Sequence, residues 1–133
     1  VNYSLLVLAS PWDGGTANRS ACRFAVALLR RGHRLRRVFF FDQGAETALE
    51  PPVTPPDSED LRPAWLALAR DHRTELLACV ASGLRRGVLD AAEAERHHRP
   101  RTQVDGFETA GLGLFVEALA DSDRVITFGE GGG

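Results

Sequence analysis

The chain has 133 residues, which is within the usual range for one domain, and its 44% hydrophobic and 26% charged residues are ordinary for a globular protein. No apolar run approaches the roughly 18 residues that span a bilayer, so we predict no membrane segment. The formal net charge of −2 does not favour a general attraction to nucleic acid, and only a local basic patch stays possible.

All 16 basic residues are arginine. A Schiff-base lysine, a P-loop lysine and a Ser/Lys dyad are therefore excluded. The two cysteines, Cys22 and Cys79, lie far apart without a CxxC motif, which argues against a disulfide framework and a thioredoxin-type dithiol. No signal peptide is visible at the start of the chain, and we predict a reducing, cytoplasmic location.

The first third of the chain predicts a βαβ unit. Tyr3 to Ala9 is nearly continuous in apolar residues, as in a strand covered on both faces. Ala17 to Arg31 has apolar residues at helical spacing and closes before Gly32, a helix C-cap. Leu35 to Phe41 follows as the second strand, so the connection between the two strands is a crossover.

The composition changes between Asp42 and Asp60, which is acidic and holds four prolines. A loop of this length is usually a lid, a binding loop or an arm that faces a partner, and a disordered surface excursion is the equal alternative. Ser58 is a candidate N-cap for a helix from Glu59 to Asp71. We interpret Trp65 as a core residue on the apolar face of this helix.

The most informative stretch begins with a third strand, Thr74 to Cys79, and continues into small residues typical of a turn and a helix start. Cys79 then lies where the strand ends, which is where open α/β sheets place their chemistry. Backbone N–H groups of the following helix, with Arg85 and Arg86, favour a thiolate. The alternative is that Cys79 is a small buried apolar residue, as most free cysteines are.

The last third predicts two more helices and a strand. Asp90 with Glu93 resembles a capping box that opens a short helix. Thr109 is predicted to cap a helix, Ala110 to Ala120, whose core-facing residues are Leu112, Phe115, Val116 and Leu119. Arg124 to Phe128 is the last long strand, and a short additional strand is possible near Gln103 to Phe107.

This order of elements predicts an α/β fold, a three-layer α/β/α sandwich around a mainly parallel sheet of four or five strands. We expect one domain over residues 1–133, with an ordered core at about 3–128 and a flexible tail at 129–133.

Cys79 and Arg85 also match C-x5-R, the anion-binding loop of cysteine-dependent phosphatases and related arsenate reductases. In such a loop a thiolate attacks phosphorus while backbone N–H groups and a guanidinium hold the oxygens. Two residues at one spacing recur by chance, and the nearest aspartate, Asp90, is better used as a helix cap. The phosphatase is therefore kept as an alternative.

From Tyr3 to Phe128 the chain resembles the DsrE/TusD family, the cysteine-bearing subunit of the DsrEFH and TusBCD sulfur-relay complexes. The resemblance rests on short motifs that occur in the same order: Phe24-Ala25 and Ala27-Leu28 before Arg31-Gly32-His33; Val38-Phe39-Phe40-Phe41 followed by Gly44; Trp65; Cys79-Val80-Ala81 with Leu84-Arg85-Arg86-Gly87-Val88 and Asp90; Gly111-Leu112-Gly113; and Asp123-Arg124-Val125.

The resemblance implies a sulfurtransferase in which Cys79 carries sulfane sulfur as a persulfide, without a metal or organic cofactor. It implies a cytoplasmic heterohexamer with two homologous subunits, DsrF/TusC-like and DsrH/TusB-like. It also implies a TusA-like sulfur donor and a small DsrC/TusE-like acceptor, with no membrane and no direct nucleic-acid partner. Arg85 and Arg86 would contact the thiolate or a partner, and Asp42 to Asp60 would frame the cleft over Cys79. A non-catalytic assembly subunit is a further alternative.

Overall fold

The computed structural model describes residues 1–12, 16–49 and 60–129. These ranges hold the strands β1 (Asn2–Val7), β2 (Arg34–Phe40), β3 (Glu75–Cys79), β4 (Phe107–Ala110) and β5 (Arg124–Phe128). The α-helices are α1 (Ala17–Arg30), α2 (Arg62–His72), α3 (Val80–Arg85), α4 (Ala91–Arg96) and α5 (Leu112–Asp121). A 3₁₀ helix, Asp42–Ala48, follows β2.

The strands form one sheet in the order β4-β3-β2-β1-β5, and every neighbouring pair is parallel. The predicted α/β class is confirmed. The additional strand exists, but it begins at Phe107, and Gln103 forms only an isolated antiparallel bridge with Leu49. All strand carboxyl ends therefore meet at one edge of the sheet, which we call the carboxyl edge.

One face of the sheet is covered by α1 and α2. Ala21, Ala25 and Leu28 of α1, at helical spacing, are buried in the main core cluster, and Trp65 of α2 is fully buried there. The core role predicted for Trp65 is thus confirmed. The helix α2 begins at Arg62, later than predicted, and the proposed cap Ser58 lies outside the described residues.

The other face is covered by α5, over a smaller cluster of buried residues: Phe39, Leu77, Ala110 and Ala118. The predicted helix start was wrong, because Thr109 and Ala110 belong to β4. The predicted core face was also wrong for three of its four residues: Leu112, Val116 and Leu119 are 62%, 58% and 47% exposed. Only Phe115 turns inward, with its ring centroid 5.1 Å from that of Phe39.

The expectation of a loop from Asp42 to Asp60 was wrong in its first part. Its opening residues form the 3₁₀ helix, whose buried residues are small: Gly44, Ala45, Thr47 and Ala48. Small side chains let this helix lie close to the sheet, since a Cβ on Gly44 would overlap the carbonyl oxygen of Val7. Residues 50–59 and 130–133, which carry most of the rest of that loop and most of the tail predicted at 129–133, lie outside the described residues. None of the helices in the described ranges has the length and apolarity that crossing a bilayer requires.

Candidate functional site

Cys79 is the last residue of β3 and lies at the carboxyl edge of the sheet. Val80 begins α3, so Cys79 occupies the N-cap position, with extended backbone angles of φ −61° and ψ 125°. Its side chain makes no capping hydrogen bond to α3, a helix that the structure describes in full. The predicted change from strand to helix at this cysteine is therefore confirmed, and the thiol is not consumed as a helix cap.

The thiol is largely covered in the isolated chain. Cys79 is 8% exposed, compared with 0% for Leu77 and 1% for Ala78 deeper in the strand. Exposure thus increases toward the end of β3 but stays small. Because nucleophilic chemistry at sulfur requires access to the thiolate, so small an exposed fraction restricts which reactants can reach Cys79 in this conformation.

The 3₁₀ helix packs against both β3 and α3 and is fastened to the latter. The Ser82 hydroxyl accepts a hydrogen bond of 3.0 Å from the backbone N–H of Asp42. The Arg86 guanidinium lies 3.9 Å from the Glu46 carboxylate, and both side chains are three-quarters buried. These contacts hold the segment after β2 beside the turn that carries Cys79.

The two arginines predicted near the thiol make hydrogen bonds to backbone carbonyls in the first turn of α3. Arg85 donates from Nε to the carbonyl of Ala81 at 3.4 Å and is exposed. Arg86 donates to the carbonyl of Ser82 at 3.5 Å, in addition to its ion pair with Glu46. Both guanidinium groups are therefore engaged with the backbone of the short helix that follows Cys79. Their contact with the thiolate stays a prediction.

The same geometry bears on the C-x5-R alternative. A phosphate cradle requires the backbone between the cysteine and the arginine to curl around the anion, so that both side chains reach it. Here residues 80–85 are helical. Six helical residues advance the backbone by about 9 Å along the helix axis, and the Arg85 Nε is hydrogen-bonded to the Ala81 carbonyl. The structure gives no support to the phosphatase interpretation.

A buried hydrogen-bond network, not expected from the sequence, supports this region. The Asn18 amide donates to the Ala9 carbonyl and to the Thr47 hydroxyl, each at 2.9 Å, and its oxygen accepts from the Trp65 indole N–H at 3.0 Å. The Thr47 hydroxyl donates to the Gly44 carbonyl at 2.7 Å. The Asn18 side chain thus joins α1, α2, the segment after β1 and the 3₁₀ helix. An isolated Asn in a helix pattern carries no signal of such a role.

Exposed apolar side chains surround the carboxyl edge. Trp12, Leu84 and Leu112 are 41%, 38% and 62% exposed, and they follow β1, β3 and β4 respectively. Large apolar side chains grouped at one edge are typical of a surface that contacts other proteins. Within the described ranges, no group of three or more His, Cys, Asp or Glu side chains is arranged to hold a metal ion. Fold and site together define a parallel α/β protein with a cysteine at an apolar carboxyl edge.

Comparison with known proteins specifies this class further. The model of the DsrE/DsrF-like family matches residues 3–128. A sulfurtransferase TusD from Serratia proteamaculans is 43% identical over 124 residues, covering 92% of this chain and 96% of the relative. A TusD homolog from Vibrio vulnificus is 41% identical over 129 residues, covering 96% and 98%. The DsrE protein of Allochromatium vinosum is 36% identical over 131 residues, covering 98% and 100%.

Among solved structures, the ychN protein from E. coli has the same fold, with a TM-score of 0.72 at 18% identity over 96% of this chain and all of the other. The chain belongs to the DsrE/DsrF-like family, and the resemblance found from its short motifs is confirmed.

Proposed function

We propose that this chain is a sulfurtransferase subunit that carries sulfane sulfur as a persulfide on Cys79 and passes it to a small acceptor protein. The observation that carries the proposal is the position of Cys79 at the carboxyl edge, in a chain whose relatives are named sulfurtransferases. Cys22, the other cysteine, is 4% exposed and belongs to the main core cluster, which suits a packing role.

The transfer needs two displacement steps. First, the Cys79 thiolate attacks the outer sulfur of a donor persulfide; a new S–S bond forms, the donor's S–S bond breaks, and the donor leaves as a thiolate. An acceptor thiolate then attacks the outer sulfur on Cys79 in the same way, and the Cys79 thiolate is regenerated. Sulfur and electron pairs balance in each step, so one cysteine is sufficient.

The burial of Cys79 adds a conformational step to this scheme. With 8% of the residue exposed, a partner's sulfur reaches the thiol only if the 3₁₀ helix or α3 shifts. A partner that docks at the apolar carboxyl edge would favour this shift if it binds the open conformation more tightly than the closed one. The opening therefore couples docking to sulfur transfer.

The same proposal covers the assembly and its setting. The chain acts as a single domain in the cytoplasm, with two homologous subunits in a heterohexamer, a TusA-like donor and a DsrC/TusE-like acceptor. Support comes from family membership and from the exposed apolar residues of α5. Relatives named TusD and DsrE are both similar to this chain, and the pathway is either 2-thiouridine formation in tRNA or dissimilatory sulfur oxidation.

Sulfur loading tests the proposal directly. The protein is incubated with a persulfide donor, desalted and measured by intact mass. We expect wild type and Cys22→Ser to gain the mass of one sulfur atom and to pass it to an added thiol, whereas Cys79→Ser gains none. Equal loading of the Cys79→Ser variant would overturn the assignment of the carrier. Turnover of a phosphate ester that depends on Arg85 would favour the phosphatase instead.

A second candidate is the non-catalytic assembly subunit, which the burial of Cys79 favours. The two functions give different results in one experiment. If the chain retains no sulfur, alone or with its co-expressed partner subunits, while those subunits still co-purify with it, the assembly role replaces the sulfur carrier.

A further inference from the structure

A second site lies at the edge of the sheet opposite Cys79, where α1 and α2 end and β2 and β3 begin. It is a pocket of about 440 Å³. Most of its lining side chains are basic: His33, Arg34, Arg36, His72 and Arg73. Glu75 is the acidic residue in the lining, and it accepts a hydrogen bond of 3.1 Å from Nε of Arg37.

The part of the chain that supplies much of this pocket is rich in basic residues and lacks acidic ones. Residues 16–41 contain seven arginines and no Asp or Glu, although the whole chain is slightly acidic. Arg34 and Arg73 form no ion pair with any carboxylate in the described ranges. Arg36 lies 3.7 Å from Asp121, with both side chains about half exposed, a pair that contributes little. The pocket therefore holds a net positive charge that the described residues leave largely uncompensated.

Two irregular backbone positions bring arginines to this pocket. Arg73, the residue directly after α2, has the left-handed conformation, φ 56° and ψ 37°, where glycine is usual. The register of β1 against β2 shifts so that Tyr3 pairs with Leu35 and Ser4 with Arg37. Arg36 is the extra residue of this bulge and is thereby turned out of the regular alternation.

The favourable interaction of cations with the unpaired carbonyls at helix C-termini explains only part of this basic cluster. His72 lies in the last turn of α2, where a cation favours the unpaired carbonyls. Arg34 is already in β2, and Arg73 is beyond the last helical residue. Their guanidinium groups are thus available to an external anion rather than being required by the helices.

We propose that this pocket binds a phosphate-bearing ligand. Guanidinium groups hold the oxygens of a tetrahedral phosphate in paired, charge-assisted hydrogen bonds, and several arginines around one concave site suit a multiply charged anion. The ligand is either a free phosphate compound or the backbone of a nucleic acid, since both offer the same oxygens. This site goes beyond the sulfur-transfer function, because it lies at the opposite edge of the sheet from Cys79.

The test measures anion binding by calorimetry at fixed ionic strength, because salt weakens all such contacts. Inorganic pyrophosphate and a short single-stranded RNA are the two probes. The variants are Arg34→Gln and Arg73→Gln, alone and combined. Arg101→Gln is the matched control, since it removes one equal charge from a half-exposed side chain outside the pocket.

We expect saturable binding of one probe to wild type, weakened about tenfold by each pocket substitution and unchanged by Arg101→Gln. Pyrophosphate binding with this pattern assigns a free phosphate ligand, and RNA binding with this pattern assigns a nucleic-acid backbone. No binding of either probe, or equal binding by all variants, overturns the proposal. Sulfur loading on Cys79, measured on the same samples, tests the sulfur-transfer function separately.

Discussion

Asp90 joins α4 to β4 through two hydrogen bonds from one carboxylate. It accepts from the backbone N–H of Glu93 at 2.9 Å, as the predicted helix cap requires, and from the Thr109 hydroxyl at 2.6 Å. The Thr109 hydrogen bond, followed by that from Glu93, lowers the pKa of Asp90 below its ordinary 3.8. A lowered pKa in the folded state means that the charged form stabilises the fold. This contribution is present above the ordinary pKa and is lost as the pH falls through the lowered value.

We expect Asp90→Ala to reduce the free energy of unfolding by about 1 kcal/mol at neutral pH, the usual cost of losing an N-cap. At about pH 3 the difference from wild type should be smaller, because wild type then begins to lose the charged form. Urea unfolding at the two pH values measures both quantities. Glu95→Ala, at an exposed position of the same helix, is the control. A difference that stays constant between the two pH values would contradict the role of the charge.

Two glycines in different elements provide a paired prediction. Gly113 is exposed in α5, and a Cβ there would meet nothing within 4 Å. Gly113→Ala should therefore stabilise the isolated chain by about 0.5–1 kcal/mol through helix propensity. Gly44→Ala should destabilise it by about 2 kcal/mol or more, since the new Cβ would overlap the Val7 carbonyl oxygen and displace the 3₁₀ helix from the sheet.

Thermal unfolding of the two glycine variants measures this contrast, with opposite shifts of the midpoint expected. Similar shifts would mean that the 3₁₀ helix does not lie against β1 as described. Sulfur loading of the Gly44→Ala variant adds a second readout, because the displaced helix packs against β3 and α3, the two elements that meet at Cys79. Faster loading at temperatures where this variant stays folded would support the opening step.

Four strands and α1 could be predicted from local patterns, whereas β4 was misplaced. β1, β3 and β5 contain short apolar runs, β2 ends in one, and α1 has a single apolar stripe followed by Gly32. The orientation of α5 could not be predicted in this way, because it has apolar residues on both sides. Leu114, Phe115 and Ala118 face the sheet, while Leu112, Val116 and Leu119 face outward. Sequence spacing alone does not distinguish an apolar stripe that faces the core from one that faces outward.

The candidate site was predictable only in part, for a related reason. The position of Cys79 followed from local signals, an apolar run that ends in small residues. The packing of the 3₁₀ helix against β3 and α3 did not, because this helix lies about 35 residues earlier and has no hydrophobic periodicity. The ion pair between Arg86 and Glu46, like the Asn18 network, depends on tertiary packing between distant segments.

In the molecule as a whole, the two faces of the sheet are unevenly covered by helices. The first face of the sheet has two long helices and the main core cluster, and the second face has α5 over a cluster of four buried residues. At this second face β5 is an edge strand, with Val125 partly exposed and Thr127 exposed. The outward-facing residues of α5, Leu112, Val116 and Leu119, continue this incompletely covered region. Such a surface is completed when another subunit packs on it, as the proposed assembly requires.

We expect Val116→Asp to prevent assembly with the co-expressed partner subunits and to leave the stability of the isolated chain within about 0.5 kcal/mol, since the side chain is 58% exposed. A charge buried at the centre of an apolar interface is costly, whereas the same charge in solvent is not. Native mass spectrometry of the co-purified complex, with urea unfolding of the chain alone, measures the two effects. Ala27→Asp introduces the same charge at an exposed position of α1, on the opposite face, and should assemble normally. If Val116→Asp assembles like wild type, or if both variants fail to assemble, the interface does not involve the outer stripe of α5.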